Sequence, residues 1–205
     1  MKHCPSIQTA TRTALETFAA LLLRWNRTVN LIARRDEPTL WDRHIEDSLQ
    51  LIPLLPPNLP RAVDLGSGAG FPGLILAIAT AIPFDLIEAD QRKAAFLREA
   101  ARLTNATATI HATRIEATNL PPAPLITARA LAPLPALLAL TAPKLAPNGI
   151  CLFLKGANAT SELTAAAAQW HMRTEQHPSR TNPTGCILRI SEIARATPIR
   201  DRDPT

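Results

Sequence analysis

Residues 62–73 read Ala62-Val63-Asp64-Leu65-Gly66-Ser67-Gly68-Ala69-Gly70-Phe71-Pro72-Gly73, and the apolar run LILAIA follows directly. Ala62 to Leu65 has the make-up of a short strand buried on both faces. Pro72 suits the first turn of a helix, which the apolar run then continues. A strand, a glycine loop and a helix form the first unit of an open α/β sheet, in which ligands bind beyond the carboxyl ends of the strands. Four of the chain's seven glycines stand in this one loop, where they permit positive φ and let a ligand approach the backbone. A phosphate-binding P-loop is excluded, because no Lys-Ser/Thr follows the glycines. The dinucleotide fingerprint GxGxxG fails as well, since its third glycine falls on Phe71.

Outward from this loop, short apolar runs alternate with helical stretches in the manner of βαβ units. Strands are expected near 62–65, 84–88, 107–110, 124–128 and 150–154. Helices are expected at 72–81, 91–103, about 134–145 and 160–170, with two more extended stretches around 172–177 and 186–191. The expected fold is a doubly wound, mostly parallel, seven-stranded α/β sheet over residues 61–205. Residues 1–60 read as an N-terminal helical extension. Leu15, Phe18, Leu22, Trp25 and Val29 make the apolar stripe of an amphipathic helix over 6–30. A second helix, expected to begin near Pro38, carries Trp41, Ile45, Leu49 and Ile52, and PLLPPNLP then breaks the pattern.

Length and composition agree with one globular domain plus a small appendage: 205 residues, 46% hydrophobic, 19% charged. Cys4, Cys151 and Cys186 are scattered and read as reduced thiols, and no His or Cys spacing suggests a metal. Residues 65–84 lack charge over a membrane-spanning length but contain four glycines and two prolines. The apolar run Thr17 to Leu23 stops at Arg24 without a cleavage signature. Neither a membrane segment nor a signal sequence is therefore expected, and the cytoplasm is the expected compartment. A net charge of +5 permits a nucleic-acid partner without demanding one.

The second strand ends in Glu88, where an acid can accept hydrogen bonds from both ribose hydroxyls of a nucleoside. Asp90 reads as the N-cap of the next helix. GxGxG preceded by Asp64 resembles the first motif of S-adenosylmethionine-dependent methyltransferases of the doubly wound class. More specific stretches resemble the bacterial 16S ribosomal RNA guanine-N7 methyltransferases, the glucose-inhibited division protein B family. They are RWNRTVNLIA, HIEDSL, VDLGSGAGFPG, LIEADQRKAAFLRE, TRIEA at 113–117, ARA at 128–130 and FLKG at 153–156. The resemblance implies S-adenosyl-L-methionine as cofactor, and 16S RNA or the small ribosomal subunit as partner. It places Gly66 and Phe71 around the methionine and ribose, Ile115 and Glu116 along the adenine, and Arg129 as the closing arginine, and Gly68 of the same loop is a further expected cofactor contact. The chain departs from the family at Ile32, where Thr is usual, and at Thr184-Gly185, where a Glu-Arg pair is usual.

Guanine N7 carries a free lone pair, so no catalytic acid or base is expected. His44, Asp47 and Ser48 read as a polar cluster packing the N-terminal helices onto the sheet edge rather than as a triad. Arg24, Arg27, Arg34 and Lys155 are candidate RNA contacts, with Arg35 beside them at the helix junction, and a solvated face explains the arginines equally well. A monomer is expected. Two other readings share the sheet: a small-molecule methyltransferase, and a non-catalytic RNA-binding protein that kept the fold.

Overall fold

The apolar runs become strands because helices cover both faces of the sheet. In the computed structural model, which describes residues 8–196, seven strands form one sheet in the order β3-β2-β1-β4-β5-β7-β6. They are β1 (Ala62–Leu65), β2 (Phe84–Ile87), β3 (Ala108–His111), β4 (Ala123–Arg129), β5 (Leu145–Lys155), β6 (Trp170–Pro178) and β7 (Cys186–Arg195). β1 to β5 are parallel, and β7 pairs antiparallel with β5 and β6. The helices are α1 (Thr9–Asn26), α2 (Asp47–Leu49), α3 (Gly73–Thr80), α4 (Gln91–Thr104), α5 (Leu134–Thr141) and α6 (Ala159–Ala167). Alternate residues of a strand enter opposite layers. Leu152 and Leu154 join Leu15, Phe18, Leu74 and Phe96 on one face, whereas Cys151 and Phe153 join Leu134, Leu138 and Trp170 on the other.

The N-terminal helical segment shares the first of these cores. α1 packs on α3 and α4, with the Phe18 ring edge-on to Phe71 at 5.6 Å and tilted against Phe96 at 6.0 Å. The helix expected from Pro38 is instead a 3-10 turn, Arg34–Thr39, that contains Pro38, then a π-helical turn, Trp41–Glu46, and then α2. Local side-chain bonds fix this path. Asn26 is buried; its Oδ1 accepts the N–H groups of Leu31 and Ile32, and its Nδ2 donates to Glu37 at 2.6 Å. The apolar stripe survives, with Ile45 and Leu49 buried. The helix expected over 134–145 ends at Thr141, just before Pro143, and β5 begins at Leu145 with a register jump ahead of Ile150.

Between β1 and β4 the strand order reverses, which is where open α/β sheets bind ligands. Close contact of α3 with β1 shapes this point. A Cβ on Gly73 would lie 2.5 Å from the Cβ of Asp64 and 2.7 Å from Leu86 Cδ2. Gly73→Ala is therefore expected to destabilise the fold by about 1–3 kcal/mol, as overpacking does. Urea denaturation checks this: the midpoint falls with the slope unchanged, and a wild-type midpoint would contradict the close approach.

Candidate active site

The loop leaving β1 turns at Gly66, whose φ of +65° disfavours any side chain. A Cβ there would also come 2.6 Å from Leu131, in the loop after β4, so the two loops touch. Gly68 directs its N–H to Glu88 Oε2 at 2.8 Å, and Asp90 directs its N–H to Glu88 Oε1 at 2.8 Å. The carboxylate is thereby fixed in orientation and keeps lone pairs for further donors. Asp90 caps α4 as expected, accepting from the backbone of Arg92 and Lys93. Hydrogen bonds from Lys93 and Arg92 hold its carboxyl below the usual range.

These elements wall a cavity of about 480 Å³ beyond the strand ends. Gly66, Gly68, Phe71, Glu88, Ile115, Glu116 and Arg129 all line it. Lys93, Arg114, Leu131 and Leu140 line it too. Of these Lys93 lies inside LIEADQRK and Arg114 inside TRIEA, and Leu131 and Leu140 had no signal. The volume lies in the range of small-molecule sites. Over Gly68 the space is open, a Cβ there meeting nothing nearer than the Gly66 carbonyl at 3.9 Å. An oriented carboxylate for a diol, an apolar wall at Ile115 and open backbone fit a nucleoside cofactor.

A second cavity, about 750 Å³, lies beside the first and shares Arg129, Ala130 and Leu131 with it. Arg129 Nη1 donates to Asp47 Oδ2 at 3.2 Å and to the Arg43 carbonyl at 3.3 Å. Its guanidinium carbon lies 4.8 Å from the Phe71 ring centroid. Burial lowers this guanidinium's pKa, and Asp47 opposes the shift. His44 stacks on Phe71 at 5.0 Å, and neither ring nitrogen has a hydrogen-bond partner. Burial, then the field of Arg129, lowers His44 to a pKa of about 4, so its 3.8 Å approach to Asp36 is no ion pair at neutral pH. Ser48 donates to the His44 carbonyl and Asp47 accepts from Thr181, Gln50 and Arg129. No His-Asp-Ser relay exists; the cluster ties the N-terminal segment to the sheet.

The candidate RNA contacts separate. Arg27 and Arg34 are exposed and make no ion pair among the described residues. Arg24 pairs with Glu99 on α4 at 2.9 Å. None of the three lines either cavity. Lys155, expected to hold RNA phosphate, is only 8% exposed; its ammonium lies 2.7 Å from both Glu162 Oε2 and the Ala132 carbonyl. That cation is committed inside the protein. The first departure, Ile32, is half-buried against the core, and Gly185 of the second lines the larger cavity.

The fold, with a cavity at its topological switch point, is that of the Rossmann-like, S-adenosylmethionine-dependent methyltransferases. Solved structures share the architecture: a TehB-like S-adenosylmethionine-dependent methyltransferase from Corynebacterium glutamicum superposes with a TM-score of 0.57, at 15% identity over 89% of this chain and 100% of that one. The N-methyltransferase NodS from Bradyrhizobium japonicum, in complex with S-adenosylhomocysteine, gives 0.55 at 16% identity over 86% and 96%. Residues 11–184 match the family described as rRNA small subunit methyltransferase G, and the chain belongs to that family. Proteins named ribosomal RNA small subunit methyltransferase G are 58% identical in Granulibacter bethesdensis, over 88% of this chain and 85% of that one, and 55% identical in Gluconobacter oxydans, over 93% and 98%.

Two predictions follow from the geometry. Glu88→Gln, which replaces one acceptor by a donor facing Gly68 or the cavity, is expected to raise the Kd for S-adenosylmethionine about 10- to 100-fold, as for a lost charged hydrogen bond. Titration calorimetry reads this directly, and an unchanged Kd would remove Glu88 from the cofactor site. The second prediction concerns pH. Asp64 is fully buried with Oδ2 unpartnered, and burial raises it to about 6 from 3.8 despite the Thr127 hydroxyl at 2.6 Å. Between these values the folded state holds the extra proton, so stability falls as pH rises, by about 3 kcal/mol in all. For His44, with a folded pKa near 4 against 6.5, the unfolded state holds the extra proton and stability rises with pH. The slopes oppose each other. Urea denaturation across this range should find stability climbing with pH in Asp64→Asn and falling in His44→Gln; unaltered slopes would refute the assignment.

Proposed function

We propose that the protein transfers the methyl group of S-adenosyl-L-methionine to N7 of a guanine in the 16S RNA of the small ribosomal subunit, acting as a cytoplasmic monomer. Family membership supports the RNA substrate. Among the described residues no helix is long and apolar enough to cross a membrane. The observation that carries the reading is the pair of cavities meeting at Arg129, Ala130 and Leu131: a nucleoside held in one can present a group to a base held in the other.

The cofactor supplies an electrophilic methyl on a sulfonium. Glu88 anchors the ribose, and Phe71 with Arg129 forms the wall beside the reacting centre. Alignment of donor and acceptor then lowers the barrier by proximity. Guanine N7 attacks through its lone pair and loses no proton, so the protein has no base to provide. His44 does not serve as one, because it lines neither cavity and stacks behind Phe71. The bound cofactor would supply its methyl with transfer of positive charge to the purine. Asp47 and Glu162 line the receiving cavity, where each is paired with a cation, Arg129 and Lys155.

Incubation with labelled S-adenosylmethionine and 16S RNA, naked or in small subunits, followed by nucleoside analysis, should place the label in 7-methylguanosine. Absence of label from every RNA fraction would contradict the reading. The single-turnover rate should vary less than about twofold between roughly pH 6.5 and 8.5, whereas a general base titrating there would give a tenfold rise per unit.

A further inference from the structure

We propose that Glu162 selects the acceptor base: its Oε1 accepts hydrogen bonds from N1–H and the 2-amino group of guanine in the larger cavity. This rests on the methyl-transfer reading above. The two oxygens of Glu162 are unequally used. Oε2 accepts from Lys155 Nζ at 2.7 Å and from the Leu134 N–H at 2.8 Å, which fills its two lone-pair directions. Oε1 accepts nothing from any described residue, although Glu162 lines the cavity and its side chain is only 23% exposed. Bracing the loop after β4 requires Oε2 alone. An acceptor left free in a cavity wall calls for a donor on the occupant, since an unmatched polar group there costs binding free energy.

The strand order indicates which edge of the base meets it. The cofactor cavity lies over β1, β2 and the end of β4, and Lys155 and Glu162 lie on the other side, at the end of β5 and on α6. A purine with N7 turned toward the cofactor points its N1 and C2 edge away from it, toward Glu162. Guanine presents N–H donors on that edge. Adenine presents a lone pair at N1 and carbon-bound hydrogen at C2, which a carboxylate oxygen repels. Pyrimidines have no N7. The same carboxylate thus admits guanine and rejects the other purine.

Glu162→Gln reverses the polarity of the free position. Lys155 and Leu134 both donate, so the amide oxygen takes their side and the NH2 faces the cavity, donor against donor. The test uses the full chain and small subunits rebuilt with 16S RNA carrying guanosine or inosine at the position that the wild type converts to 7-methylguanosine. Inosine keeps N7 and N1–H and lacks the 2-amino group. The wild type should lose about 10-fold in kcat/KM on inosine, and Glu162→Gln about 10- to 100-fold on guanosine, while its guanosine/inosine ratio falls to within about twofold of unity. The Kd of the variant for S-adenosylmethionine should stay within about twofold of wild type, because Glu162 is outside the cofactor cavity. Equal use of guanosine and inosine by the wild type, a measurement that needs no variant, would overturn the proposal. So would a variant that loses activity but keeps the wild-type ratio, for Glu162 would then only brace the loop. Failure of the wild type to form 7-methylguanosine at all would overturn the methyl-transfer reading itself, and the proposal with it.

Discussion

The guanidinium of Arg129 is largely withdrawn from solvent at the end of β4, its side chain 18% exposed, and a cation so placed persists only where partners compensate its lost hydration. Here those partners come from elsewhere in the chain. Asp47 and the Arg43 carbonyl belong to the N-terminal helical segment, more than eighty residues earlier, and the Phe71 ring belongs to the glycine loop. Arg129 also forms part of the wall between the two cavities. The N-terminal segment is thus a structural member of the site. Phe71 carries the same dependence further: its other contacts are Phe18 of α1 and the neutral ring of His44.

The smaller cavity is shaped largely by backbone. Gly66 and Gly73 allow approaches to Leu131 and Asp64 that a Cβ would block, and the Gly68 N–H orients Glu88. The larger cavity is lined by charged side chains held against one another, Asp47 with Arg129 and Lys155 with Glu162. This difference suits the two occupants proposed above. A small constant ligand is matched by fixed main-chain geometry, whereas a base in a large anionic RNA requires polarity matched group by group.

Much of this was legible in the sequence, for a physical reason. Strands covered on both faces are continuous apolar runs, so β1, β2 and β4 lie within a residue or so of the positions expected from Ala62-Val63-Asp64-Leu65 and its counterparts. The seven residues expected at the cofactor follow local motifs at strand ends, where topology fixes their place, and all line one cavity. Features that depend on distant partners were not legible. Pro38 suits the start of a helix, but Asn26 binding the Leu31 and Ile32 N–H groups sets a 3-10 turn instead. Lys155 reads as a free strand-end cation until the fold places Glu162 beside it. Likewise nothing near Arg129 in the chain announces Asp47.

The central claim is a division of labour across Arg129, with the cofactor over β1 and β2 and the base over β5. A crystal structure with S-adenosylhomocysteine tests it most directly. The account predicts the ribose hydroxyls on Glu88, the adenine along Ile115 and the sulfur facing the opening at Arg129, Ala130 and Leu131. A ligand seated instead against Lys155 and Glu162, with Glu88 untouched, would contradict it.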